Sequence, residues 1–175
     1  MLTKGQLRYS FKVYAEEVGR CKKTGCYWSL LHLVLVLPEV CSALEAELPE
    51  EQDKKTERRY REWCRKYVAT EDFDESEWWA ARRNIFHERL APARYSGFIF
   101  SPPGGPGHKL VDPATKRLRL DVWSLADQVL AGVERWFDAL LEDPNALACV
   151  ERKIPELVWV DLSPPPPDRP RVTSG

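Results

Sequence analysis

The sequence predicts a mainly α-helical protein, a bundle of four to five helices with a small β-hairpin inserted before the last long helix. Three observations carry this prediction. Apolar residues recur at spacings of three and four in five segments of the chain. Between residues 96 and 122 the period changes to short strand-like runs around a Pro/Gly-rich loop. Length and composition set the scale: 175 residues with 43% hydrophobic content suit one domain, and a chain of this size removes roughly 70% of its unfolded surface from water. We expect a single helical domain over residues 1–160 and a Pro-rich, polyproline-like or disordered tail over residues 161–175.

The elements follow in order. "LRYSFKVYAEEVGR" places Leu7, Phe11, Tyr14 and Val18 on one stripe and predicts a helix over residues 7–20. Gly19 and Gly25 bracket a lysine-bearing turn, "CKKTG". A second helix is predicted over residues 27–48. Its greasiest run, "YWSLLHLVLVLPEV", is interrupted by His32 and Pro38 and is too short to span a bilayer, so it reads as a helix buried on nearly all sides. Pro38 removes a backbone donor and should kink it. Residues 54–69 put Tyr60, Trp63, Cys64, Tyr67 and Val68 on one side and Arg58, Arg61 and Arg65 on another. "TEDFDES" reads as a loop, with Asp74 or Ser76 capping a helix that stops near Leu90, before Pro92. "SGFIFS" and "KRLRLDV" are the strands of the expected hairpin, joined by "PPGGPGHKLVDPAT". Asp121 caps a helix to Glu142 whose stripe holds Leu125, Val129, Val133, Trp136, Phe137, Leu140 and Leu141. After Pro144, "NALACVERKIPEL" suits a short helix and "LVWVDL" a strand or an extended strap.

Charge and cysteine usage narrow the class. The net charge of −1 supplies no global field for nucleic acid. Locally, "DKKTERRYREWCRKY" carries seven Lys or Arg against three acids, and "EDFDESE" beside it carries five acids. A solvated helix face followed by a solvated loop accounts for this pair; a polyanion-steering surface is the sharper alternative. The five cysteines are scattered: Cys41, Cys64 and Cys149 fall in apolar helical patterns, and Cys21-x4-Cys26 lacks the second pair a zinc site needs. No metal, cofactor or secretory segment is therefore expected, and a reducing, cytoplasmic setting without membrane attachment fits the composition.

Reactive chemistry concentrates in "WWAARRNIFHERLAP", residues 78–92. On an ideal helix Arg83 and His87 share one face, four residues apart, whereas Arg82 lies about 140° around from His87 and meets it only where the helix tightens or frays. Imidazole titrates near neutrality, and guanidinium grips phosphate oxygens through a planar fork. The pair suits attack of a ribose 2′-hydroxyl on its phosphodiester, with His87 moving the proton and the arginine stabilising phosphoryl charge. A bland alternative is a surface ion network at a helix C-terminus, where a protonated His is favoured by the dipole. His32 reads as a hydrogen-bonded core histidine, His108 as part of a turn loop, and Trp78 and Trp79 as core anchors.

Arg82 and His87 form R-x4-H within "ARRNIFH". Together with "LVLPEVCSALE", "YREWCRKYV", "FIFSPP" and "LDVWSLADQV…VERWF", in this order over about residues 25–140, they make the chain resemble small bacterial proteins of the HEPN superfamily. The resemblance implies a HEPN-like bundle that forms a homodimer and brings two R-x4-H motifs into one cleft. It also implies metal-independent cleavage of RNA, in a setting with a cognate antitoxin or regulatory protein. Arg82 would stabilise phosphate and His87 act as acid/base; Arg83, Asn84, Arg58, Arg61 and Arg65 are candidate substrate contacts. Relatives carry a polar Asn, Asp or His directly after the motif arginine and Gln-Gly after the histidine, whereas this chain has Arg83 and Glu88-Arg89. Those departures favour an inactive HEPN-like module that binds a protein or nucleotide. A helical interaction protein without a phosphate site is the third reading.

Overall fold

Helices α1 (Lys4–Ser10) and α2 (Lys12–Thr24) take up the first apolar stripe. They belong to a computed structural model that describes residues 2–46, 53–86, 94–104 and 109–156. Where the stripe predicts one helix, the structure has two, meeting at Phe11, whose φ/ψ of −97°/3° leaves the helical basin. The Phe11 ring is clamped there against Trp136 and Phe137, with centroids 5.5 and 5.4 Å away. Thr3 caps α1 reciprocally with Gln6, each side chain accepting from the other's backbone amide. The expected turn between Gly19 and Gly25 is helical as far as Thr24, and the chain reverses only at Gly25. Its φ of 72° is open to glycine without a Cβ clash.

Helix α3 (Tyr27–Glu45) is the hub and packs against α2 and, beyond it in the chain, α4 (Asp53–Tyr67), α5 (Glu75–Phe86), α6 (Val122–Glu142) and α7 (Pro144–Lys153). Leu30, Leu31, Val34, Leu35, Leu37, Cys41 and Leu44 are buried along it. Among the described helices it is the one long and apolar enough, by length and composition, to cross a membrane, and half of it is buried within the bundle. Pro38 stands inside α3 without ending it. Proline cannot donate to the carbonyl of Val34, and one residue further on the buried Tyr60 hydroxyl of α4 donates to the Leu35 carbonyl at 3.1 Å.

Helix ends are satisfied by neighbouring elements, as orphan backbone groups require. Asp74 caps α5: its carboxylate accepts from the Ser76 and Glu77 amides at 2.9 and 3.1 Å, while Glu77 accepts from the Asp74 amide at 2.8 Å. Asp121 caps α6 through the Ser124 amide at 2.7 Å, as expected. The C-terminal carbonyls of α4 are met by α6, with Arg135 Nε donating to Tyr67 at 3.1 Å and Gln128 donating to Val68. The two helices touch so closely at Gly132 that a Cβ there would collide with Val68 and come within 3.2 Å of the Tyr67 carbonyl.

The expected β-hairpin is replaced by a three-stranded sheet in the order β1 (Phe98–Ser101), β3 (Leu118–Asp121), β2 (Leu110–Val111). "FIFS" and "LRLD" do pair, but parallel, with Phe98 opposite Leu118 and Ser101 opposite Asp121. The hairpin is made instead by β2 and β3. Its tight turn is set by Asp112, whose carboxylate accepts from the Ala114 and Thr115 amides at 3.1 and 2.8 Å. The long connection after β1 carries the chain back before this turn reverses it, which leaves β1 and β3 running the same way. The seven helices described here exceed the four or five expected because the first stripe divides and "PNALACVERK" folds as α7. A 3-10 turn, Ile154–Glu156, closes the described chain. The predicted strap "LVWVDL", the tail and the outer end of the domain boundary at residue 160 lie outside the described residues.

Candidate functional site

Arg82, the arginine of the R-x4-H motif, leaves α5 on the side that faces α3. Its Nε donates to Glu39 Oε2 at 2.7 Å and its Nη2 lies 2.5 Å from the same oxygen. The guanidinium carbon sits 4.9 Å from the Trp79 ring centroid and 5.6 Å from that of Phe86. Only 12% of the side chain is exposed. The charge is thus paired, stacked on two rings and largely withdrawn from water, an arrangement that suits a planar guanidinium better than an ammonium. Tyr60 completes the wall; burial raises its phenol well above the ordinary tyrosine range, and the nearby Arg82 charge opposes that shift without cancelling it.

Arg83 is half-exposed and, among the described residues, makes no hydrogen bond or ion pair. Asn84 donates back to the Ala80 carbonyl of its own helix at 2.9 Å. His87, Glu88 and Arg89 lie outside the described residues, as does His108. The bundle therefore brings Arg82 to Glu39, a partner the sequence reading did not single out.

A second histidine enters this region. His32, expected in the core, is only half-buried. Its Nδ1 lies 2.7 Å from the Trp28 carbonyl; a carbonyl only accepts, so Nδ1 carries the proton. The His32 ring stands edge-on to Phe86 at 5.0 Å and to Trp28 at 4.9 Å. The face between α3 and the end of α5 is thus a run of rings, Trp28, His32 and Phe86, that ends on the Arg82–Glu39 pair. Trp78 is fully buried, while Trp79 packs on Tyr60 at 5.3 Å and offers its ring to Arg82.

Arg58, Arg61 and Arg65 do share a face, as their spacing predicts, and line a groove of about 300 Å³ between α4 and the start of α5. The same groove is lined by Glu57, Glu62 and Glu75, three carboxylates to three guanidiniums. Arg61 is held by Ser76 Oγ at 2.8 Å, Glu57 at 3.4 Å and Glu75 at 4.0 Å. Arg82 is not among the lining residues. Cys21 is buried with its thiol 3.8 Å from Glu17, whereas Cys26 is exposed. Among the described residues no three His, Cys, Asp or Glu side chains gather as metal ligands.

One signal could have found Glu39: it is the sole Asp, Glu, Lys or Arg between Tyr27 and Leu44. A lone charge on so apolar a helix needs a partner from another element. Compared with protein-family models, with curated proteins and with solved structures, the chain matches none.

Proposed function

We propose that this protein is a HEPN-like helical module that acts by binding a protein partner and does not turn over RNA. The observation that carries this reading is the Arg82–Glu39 pair. An arginine that stabilises a phosphoryl transition state must meet the phosphate with its charge unspent. Here the charge is already matched by a carboxylate on α3 and 12% exposed. A phosphate reaching it would have to displace Glu39 and enter beside that negative charge. The arginines of α4 point the same way, since each works in a groove with as many carboxylates as guanidiniums. Arg82 in this reading ties α5 to α3.

The test is an incubation of the purified chain with labelled single-stranded and structured RNAs in excess chelator, beside His87→Ala. The reading expects no product from either protein, and saturable partner binding that His87→Ala retains. Cleavage by the wild type that His87→Ala abolishes would overturn it.

One observation favours a second reading, a metal-independent endoribonuclease in a homodimer. Arg83 is half-exposed, unpaired among the described residues and four residues before His87, the spacing that places both on one helical face. Arg83, in place of Arg82, would then be the phosphate contact. Cleavage lost in Arg83→Ala and kept in a stably folded Arg82→Lys would establish it.

A further inference from the structure

The bundle carries an open, largely apolar groove of about 560 Å³ where the turn between α2 and α3 meets the end of β1. Tyr27 and Trp28 form one wall and Phe100 and Pro102 the other, with Cys26 at the edge. Trp28 is 63% exposed, an unusual setting for a tryptophan in a chain that buries Trp63, Trp78 and Trp136 completely. Its indole N–H makes no hydrogen bond among the described residues. His32 behind it holds the Trp28 carbonyl at 2.7 Å, and the two rings meet at 4.9 Å, which fixes the indole in place.

A groove flanked by aromatic side chains with a free indole donor is the chemistry that recognises proline in the polyproline II conformation. Proline rings slot between the aromatic faces, carbonyls of the segment accept from the indole, and little conformational entropy is lost because the segment is already extended. This chain contains a proline run of the composition that such a groove selects, "SPPPPDRPR", in which Pro164 to Pro167 are consecutive. Reach permits the encounter. Lys153, just before the end of the described chain, donates to the Ala43 and Ala46 carbonyls at the far end of α3. From Ala46 back to Trp28 is 18 residues of helix, or ~27 Å. From Glu156, where the 3-10 turn ends, to Pro164 is eight residues, or up to ~28 Å for an extended chain.

We propose that this groove is a polyproline-binding site and that its occupant is the chain's own Pro164–Pro167 segment, docked between Trp28 and Phe100. The site is separate from the Arg82 region and does not depend on the function proposed above.

Cys26 reports on the groove, because it lines it and is exposed while Cys21, Cys41, Cys64 and Cys149 are buried. The experiment measures the rate at which a small aromatic disulfide reagent modifies Cys26 in the native 175-residue chain, with Cys26→Ser identifying its share of the signal. The comparison is with a chain carrying Pro164→Ser, Pro165→Ser, Pro166→Ser and Pro167→Ser, checked for an unchanged circular dichroism spectrum. Expected is a several-fold faster reaction in the proline-substituted chain, the same at all protein concentrations. In a Trp28→Ala background the proline substitutions should change nothing. Equal rates in the two parent chains would overturn the proposal, as would protection that disappears on dilution, which would assign the groove to a second copy's tail. A proline effect that persists without Trp28 would also overturn it.

Discussion

Glu39 shows how one residue redirects the reading of a motif. It follows a helix-interior proline on the most apolar of the described helices, and its carboxylate, 30% exposed, faces the guanidinium of Arg82. Removing one partner of a sheltered pair leaves the other charge uncompensated. Arg82→Met should therefore lower stability by about 2 kcal/mol, less than for a fully buried pair because Glu39 retains some solvent. Glu39→Gln combined with Arg82→Met should cost less than the two single changes added together, and urea denaturation of all four proteins measures the coupling. Strict additivity would mean the two side chains do not act as a pair. Arg82→Lys separates the roles further: it keeps the charge and loses the fork and the flat stacking on Trp79 and Phe86. It should fall between wild type and Arg82→Met.

Two elements make distinct demands. At the crossing of α4 and α6, Gly132 is required by contact and not by backbone angle. Alanine is the better helix former by about 1 kcal/mol, but its methyl would meet Val68 and the Tyr67 carbonyl. Overpacking of this kind costs about 1–3 kcal/mol, so Gly132→Ala should destabilise; a rise in melting temperature would show that the helices separate freely. At the start of α5, burial raises the Glu77 carboxyl above its ordinary 4.5, partly opposed by the Asp74 amide. Burial raises Glu45 likewise, against the Trp136 indole bonded to it at 2.7 Å. A raised carboxyl holds its proton in the folded state after the unfolded chain has released it. Its contribution to stability therefore falls as pH climbs from 4.5 through the raised value, and is level above that. Glu77→Gln keeps an oxygen for the Asp74 amide and removes the titration. Relative to wild type it should gain stability across that window, as chemical denaturation at a series of pH values would report. A difference that does not vary with pH would show that Glu77 ionises alike in both states.

For the whole molecule, the sheet and the helices share a single core. Leu118 and Leu120 of β3 are buried in one cluster with Leu30, Trp63 and Trp136 of the helices. Thermal unfolding should accordingly be one transition, with coincident midpoints by tryptophan fluorescence and circular dichroism. Separate midpoints would mean that the strands form an independent unit. The N-terminal helix joins the same body at its surface, where Arg8 reaches Glu134 at 2.6 Å and Lys4 reaches Asp138. Such exposed pairs contribute little, and the buried Leu7 holds α1 in place instead.

The sequence by itself determined the mainly helical character of the protein, the inward faces of its longer helices and the Asp121 cap, and it narrowed the cap of α5 to Asp74 or Ser76. Those features rest on interactions within a few residues: the stripe through Leu125, Val129 and Trp136, and the reach of Asp74 and Asp121 to amides two or three positions on. It also placed Arg58, Arg61 and Arg65 on one face, a matter of helical spacing alone. What only the tertiary structure decided were relations between distant segments. The parallel pairing of β1 with β3 depends on how the chain returns after Ser101, which alternation cannot reveal. The division of the first helix follows from a clamp on Phe11 supplied more than a hundred residues later. The environment of Arg82 was hidden for the same reason. Spacing relates it to its neighbours on α5, but its partner is 43 residues earlier in the chain, and only packing of α5 on α3 brings the two charges together.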